Sequence, residues 1–164
     1  MSRSLFCLAL LLAPCLALAD DEKPEAKLSA DEKALLELLN KEREKEKLPK
    51  LTVNERLMKA ARAHTENMAK QEKMSHELDG KNVGERVTDA GYDWGAVAEN
   101  VAKAGAESGD PPAPPAAEIH KGWMESKGHR ANILGEKYKE VGLGMVKSKK
   151  GTYFYTQVFA APRR

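Results

Sequence analysis

Residues 138–159 read YKEVGLGMVKSKKGTYFYTQVF, and this stretch decides the fold. Tyr138 to Val146 and Thr152 to Phe159 are two strand patterns, and Ser148-Lys149-Lys150-Gly151 between them supplies the connection, so the pair reads as an antiparallel hairpin. Working outward from it, the upstream patterns are mostly helical. Ala116 to Lys127 forms a helix that turns Ile119, Trp123 and Met124 inward. Before it, Gly105 to Pro115 contains four prolines, which cannot enter a sheet interior, and is predicted to be a surface loop. Ala96 to Lys103 is a small-residue strand candidate, and the glycine-rich residues 74–95 read as a loop with a helical turn near Val83 to Ala90.

Two longer helices open the domain. Ser29-Ala30-Asp31-Glu32 has the form in which the hydroxyl and the glutamate cap each other's backbone, ahead of Leu35, Leu36, Leu38 and Leu39. This first helix should run to about Lys47, its charged second half exposed, and Leu48-Pro49 ends it. Thr52-Val53-Asn54-Glu55 repeats the capping pattern, and Leu57, Ala61, His64 and Met68 then share one helical stripe as far as about Lys73. Runs of helix followed by a hairpin predict helices covering a small antiparallel sheet rather than alternating βαβ units.

The N-terminus reads differently. Arg3, the apolar run from Leu5 to Leu12 and the small residues of Ala17-Leu18-Ala19 make residues 1–19 a signal peptide, followed by a loose charged leader over 20–28 and a single domain over 29–164. The apolar stretch is shorter than the roughly 20 residues a membrane span needs, so no transmembrane segment is expected. A lipid anchor on Cys15 is the competing reading, against which Pro14 stands where such a signal wants a small residue; otherwise Cys7 and Cys15 both leave with the peptide, and the mature chain has neither disulfide nor thiolate chemistry. Its 26 Lys+Arg then face 25 Asp+Glu, with the signs mixed along the helices, which argues against a nucleic-acid partner. The expected product is a monomer in the secreted, periplasmic or cell-envelope space.

Three polar residues could carry chemistry: His76, Glu99 and His129. Two neutral imidazoles and a carboxylate are the donors of a catalytic-type zinc site, which leaves one position open for water or substrate. Their spacing does not show whether they converge, and ordinary loop residues remain the alternative. His64 reads as a hydrogen-bonded core histidine, His120 as a surface one, Trp123 as core, and Trp94 as either core or a ligand stack. Arg130 and Asn132 are expected to tie their loop to backbone carbonyls, as is Asn100 beside the candidate cleft. Nucleophile elbow, phosphate-cradling glycine loop and His-Glu-x-x-His helix are all missing from the sequence.

Seven words occur in order along the chain. They are Leu38-Leu39-Asn40-x-x-Arg43, Leu57-x-x-Ala60-Ala61-x-x-His64 with Ser75-His76, Gly91-Tyr92, Ala98-Glu99-Asn100, Trp123-Met124-x-Ser126-x-Gly128-His129-Arg130-Ala131-Asn132-Ile133-Leu134, Val141-Gly142-Leu143-Gly144, and Tyr155-Thr156-Gln157-x-Phe159. Together they resemble the bacterial branch of the CAP superfamily, the SCP-like extracellular domain, over roughly Ser29 to Ala160. The resemblance implies a three-layer α-β-α sandwich and a cleft lined by two histidines and two glutamates, whose histidines bind a divalent metal in some members. His76, Glu99 and His129 match three of these positions. At the fourth this chain has Ser126, and Glu125, one residue early, would point about 100° away on a helix. The implied function is a binding or effector module for an extracellular or envelope ligand, whether lipid, glycan or divalent metal, with no cofactor required and zinc on His76 and His129 as an option. The alternative is a metal-assisted hydrolase with Glu99 as general base or third ligand.

Overall fold

The computed structural model describes residues 27–105 and 116–164. The expected signal peptide (residues 1–19), nearly all of the expected leader and the proline-rich segment beyond Gly105 lie outside the described residues. The elements run α1 (Ala30–Lys45), β1 (Thr52–Val53), α2 (Glu55–Gln71), α3 (Val83–Asp89), β2 (Trp94–Ala104), α4 (Ala116–Glu125), α5 (Lys127–Ile133), β3 (Glu140–Lys147) and β4 (Tyr153–Pro162).

The hairpin read from residues 138–159 is the centre of the sheet. Its strand order is β1-β3-β4-β2, with β4 antiparallel to both β3 and β2. Residues 153–160 of β4 are buried without interruption, as a strand covered on both faces must be. Alternation divides them. Tyr153, Tyr155 and Phe159 join Leu35, Leu39, Ile119, Trp123 and Ile133 in one cluster, under α1, α4 and α5. Val158 and Ala160 meet Leu57, Ala60 and Ala61, and Phe154 meets Met68 and Ala69, all on the opposite face under α2. Helices on both faces of one sheet make the three-layer α-β-α arrangement.

The α2 layer sits unusually close to the sheet. A Cβ built on Gly142 would lie 2.1 Å from the carbonyl carbon of Leu57, and one on Gly144 would lie 2.5 Å from Thr65 Oγ1. The helix backbone therefore rests on β3 where side chains are missing.

Four local readings are corrected. Thr52-Val53 is a strand parallel to Glu140-Val141, and the cap of α2 is Asn54, whose side chain accepts from the amides of Arg56 and Leu57, so the sheet is mixed at that edge. The second half of α1 is not wholly exposed: Arg43 is fully buried, its Nε donating to Pro49 O and its Nη1 to the carbonyls of Ile133 and Gly135. Three carbonyls at a loop and a helix end offset the loss of water around one guanidinium. The third helix ends at Glu125, and beyond Ser126 a further helix, α5, which the sequence reading did not expect, follows. His120, read as surface, is buried against α1, and among the described residues neither ring nitrogen has a hydrogen-bond partner.

Candidate functional site

Glu99 is the centre of a polar cluster on the edge strand β2, where it pairs with Val158 and so faces the α2 layer. Its side chain is 1% exposed, and both oxygens are engaged. Oε1 lies 3.0 Å from His76 Nδ1, and Oε2 accepts from Arg86 Nη2 at 2.6 Å. His64, on the buried stripe of α2, places Nε2 3.9 Å from Oε2. That nitrogen is 2.9 Å from Ser75 O; a carbonyl only accepts, so His64 Nε2 carries a proton there.

The same loop is held twice more. Arg86 Nη1 donates to the carbonyls of His76 and Lys81, at 3.0 and 2.7 Å, and so fastens residues 76–81 to α3. His76 is left with its Nδ1 turned to the carboxylate and a side chain 59% exposed. Because a carboxylate only accepts, Nδ1 bears the proton and Nε2 is the nitrogen that remains for an outside partner.

His129 comes from the other face. Asn100 pairs with Gln157 and so points under α5, where its amide donates to His129 O and to Gln157 Oε1. Asn132 completes the tie, donating to Glu99 O and to Asn100 Oδ1. His76 and His129 thus approach the β2 edge from opposite layers. Asn100 and Asn132 act on carbonyls as the sequence suggests, whereas Arg130 pairs with Glu46 at 3.0 Å on the surface instead.

Protonation follows from these partners. The hydrogen bond to Glu99, against an opposing effect of burial, raises the His76 pKa above its ordinary value. His64 is lowered, by burial first, with Glu99 pulling the other way. His129 is lowered by burial first and then by the charge of His76.

A metal fits this arrangement poorly. No group of three or more His, Cys, Asp or Glu among the described residues is placed to hold an ion, and the carboxylate that would be the third donor already has a guanidinium on it. Ser126 begins α5 without a side-chain cap bond, and the neighbouring Glu125 is exposed, 3.7 Å from Lys121, so no second glutamate enters from α4. Arg86 is the residue that sequence reading missed. The only signal for it was a lone arginine on the face of a short helix, which normally means solvent.

The remaining candidates are structural. Trp123 is buried and donates to Val101 O, and Trp94 donates to Gly84 O and Thr88 Oγ1, holding α3 on β2. Tyr92 is buried with its hydroxyl on Glu140. Two concavities lie elsewhere: one of about 1260 Å³ between α1, β1 and the start of α2, and one of about 450 Å³ beside Lys103 and Phe154; neither is lined by His76, Glu99 or His129. The histidine edge lies outside both of these concavities.

Comparison with known proteins places the fold in a family. The chain is 34% identical over 122 residues to the protein YkwD of Bacillus subtilis, covering 74% of this chain but only 44% of that one, so it spans less than half the length of that relative. It resembles in fold an outer surface protein of Borrelia burgdorferi, with a TM-score of 0.72, 17% identity and coverage of 85% of this chain and 98% of that one. An extracellular protein containing a SCP domain from Bacillus anthracis superposes with a TM-score of 0.64 at 24% identity, over 83% of this chain and 45% of that one. Residues 36–159 match the CAP, or cysteine-rich secretory protein, family as a whole, and they carry the helix layers, the sheet and all three cleft residues; the chain belongs to that family.

Proposed function

We propose that the chain is an exported binding or effector module that presents the His76 and His129 edge to an organic ligand of the extracellular space or cell envelope, lipid or glycan in class. One observation carries this reading: a carboxylate with 1% of its side chain exposed holds an imidazole that is 59% exposed. Burying a charge costs stability, and an ordinary surface histidine needs no such partner. The expense is understandable where the ring must keep one orientation and one tautomer for something outside the fold. The similar Bacillus anthracis protein is extracellular, which supports export.

The hydrolase alternative is weaker. A general base needs a lone pair that a water can reach, and the Glu99 side chain is 1% exposed with a neighbour's N–H on each oxygen. The test of the binding reading is a native mass spectrum of protein purified from the exported fraction, compared with His76→Ala. The wild type should carry an organic adduct of a few hundred daltons that the variant lacks, and its polypeptide should begin at Asp20. A wild type that flies bare from every preparation, or an adduct retained by His76→Ala, would remove the cleft from the proposal.

A further inference from the structure

We infer that Arg86 is the built-in counter-cation of Glu99 and closes the histidine edge to divalent ions. The inference takes its lining residues from the binding reading above but stands on separate geometry. A carboxylate beside several imidazoles would ordinarily attract a divalent cation. Here Arg86 Nη2 lies 2.6 Å from Glu99 Oε2, on the side where His64 Nε2 also stands at 3.9 Å. Glu99 Oε1 belongs to His76.

The guanidinium is not a passing visitor. Its side chain is 11% exposed, its Nη1 is fixed on two carbonyls, and its Nε is enclosed without a partner of its own. A cation so held cannot swing out to make room. An entering metal would have to share one carboxylate with a fixed positive charge inside a partly desolvated site, where like charges repel strongly. The cluster therefore has donor types a divalent ion uses, though no three of them converge on one point, and it already has the charge balance of a completed centre. Arg86 is a positioning and specificity-determining residue: it neutralises Glu99, hangs the His76 loop on α3, and leaves His76 Nε2 to a ligand that is not a cation.

Zinc chloride titrated calorimetrically at about pH 7.5 into the cysteine-free chain from Asp20 onward tests this, with imidazole nitrogen NMR on the same samples. Wild type and Arg86→Lys should show weak zinc binding or none, and the His76 Nε2 resonance of the wild type should not move when zinc is added. Arg86→Met, which keeps the stem and removes the charge, should bind zinc at least ~tenfold tighter, and the added His76→Ala should abolish the gain. Tight wild-type zinc binding, a zinc-induced shift of His76 Nε2, or a folded Arg86→Met that binds no better would each overturn the inference. If Arg86→Met does not fold, the wild-type resonance decides alone. Loss of the organic adduct with zinc exclusion intact would sink the binding reading and leave this one standing.

Discussion

A methyl group at Gly142 would meet the backbone of α2, and the cost of that meeting can be worked out. The built Cβ lies 2.1 Å from Leu57 C, 2.2 Å from Leu57 O and 2.6 Å from Met58 N, where ordinary contact begins at 3.4 Å. Side chains can swing away; a helix backbone cannot. In Gly142→Ala the start of α2 must therefore retreat by about 1.3 Å, the difference between 3.4 and 2.1 Å. A gap of that size forfeits a quarter to a half or more of each dispersion contact along the helix face, which here includes Leu57, Ala61, Thr65 and Met68. Overpacking commonly costs 1–3 kcal/mol, and a backbone clash belongs at or above the upper end, so we expect ~3–5 kcal/mol. For a domain of this size that lowers the melting temperature by ~10–20 °C. Gly122, inside α4 with nothing within 4 Å of its built Cβ, is the control; Gly122→Ala should stabilise by ~0.5–1 kcal/mol. Paired thermal melts decide it. If Gly142→Ala melts within ~2 °C of wild type, α2 does not rest on β3 in the way described.

Other outcomes follow from single contacts. Arg43→Met should cost ~3 kcal/mol in urea unfolding, because three carbonyls lose a charged donor, and should shift the NMR signals of His129 as α5 loosens; Arg43→Lys, with one compact ammonium, should not restore both. Trp123→Ala should cost ~3–5 kcal/mol by leaving a cavity under α4. Burial lowers the pKa of His120 below its ordinary 6.5, with Glu42 raising and Lys45 lowering it in lesser degree, so the unfolded chain takes up its proton first on acidification. Stability from this group is complete above about pH 6.5 and is lost as pH falls below it. The urea midpoint of His120→Leu relative to wild type should accordingly rise between about pH 7.5 and 5.5; an unchanged difference would show that His120 is not buried neutral.

Much of this molecule was legible in its residues. The capping pair Ser29 and Glu32, the stripe through His64 and the hairpin of residues 138–159 are local patterns, and each became the element it promised. What failed was non-local. Thr52 looks like a cap until Glu140 pairs with it from 88 residues away, and Arg43 looks solvated until the end of α5 arrives to receive it. The same holds at the cleft. His76, Glu99 and His129 could be named from short words, and Glu99 does reach His76, but the partner that completes the charge balance sits on a seven-residue helix with no motif of its own. Alternating glycines at 142 and 144 were visible as letters, yet only the position of α2 explains why side chains are missing there.

The order of strands across the sheet also sets an order in time. A chain leaves the ribosome N-terminus first, and β4, the strand that joins β2 to β3, is the last element of the described domain to emerge. Until Tyr153 to Pro162 appear, the eleven residues of β2 have no ladder partner among the described residues, and neither helix layer has a finished floor to cover. Completion is postponed to the end of synthesis. In this strand order the sheet of the described domain can close only when the last of its strands has been made.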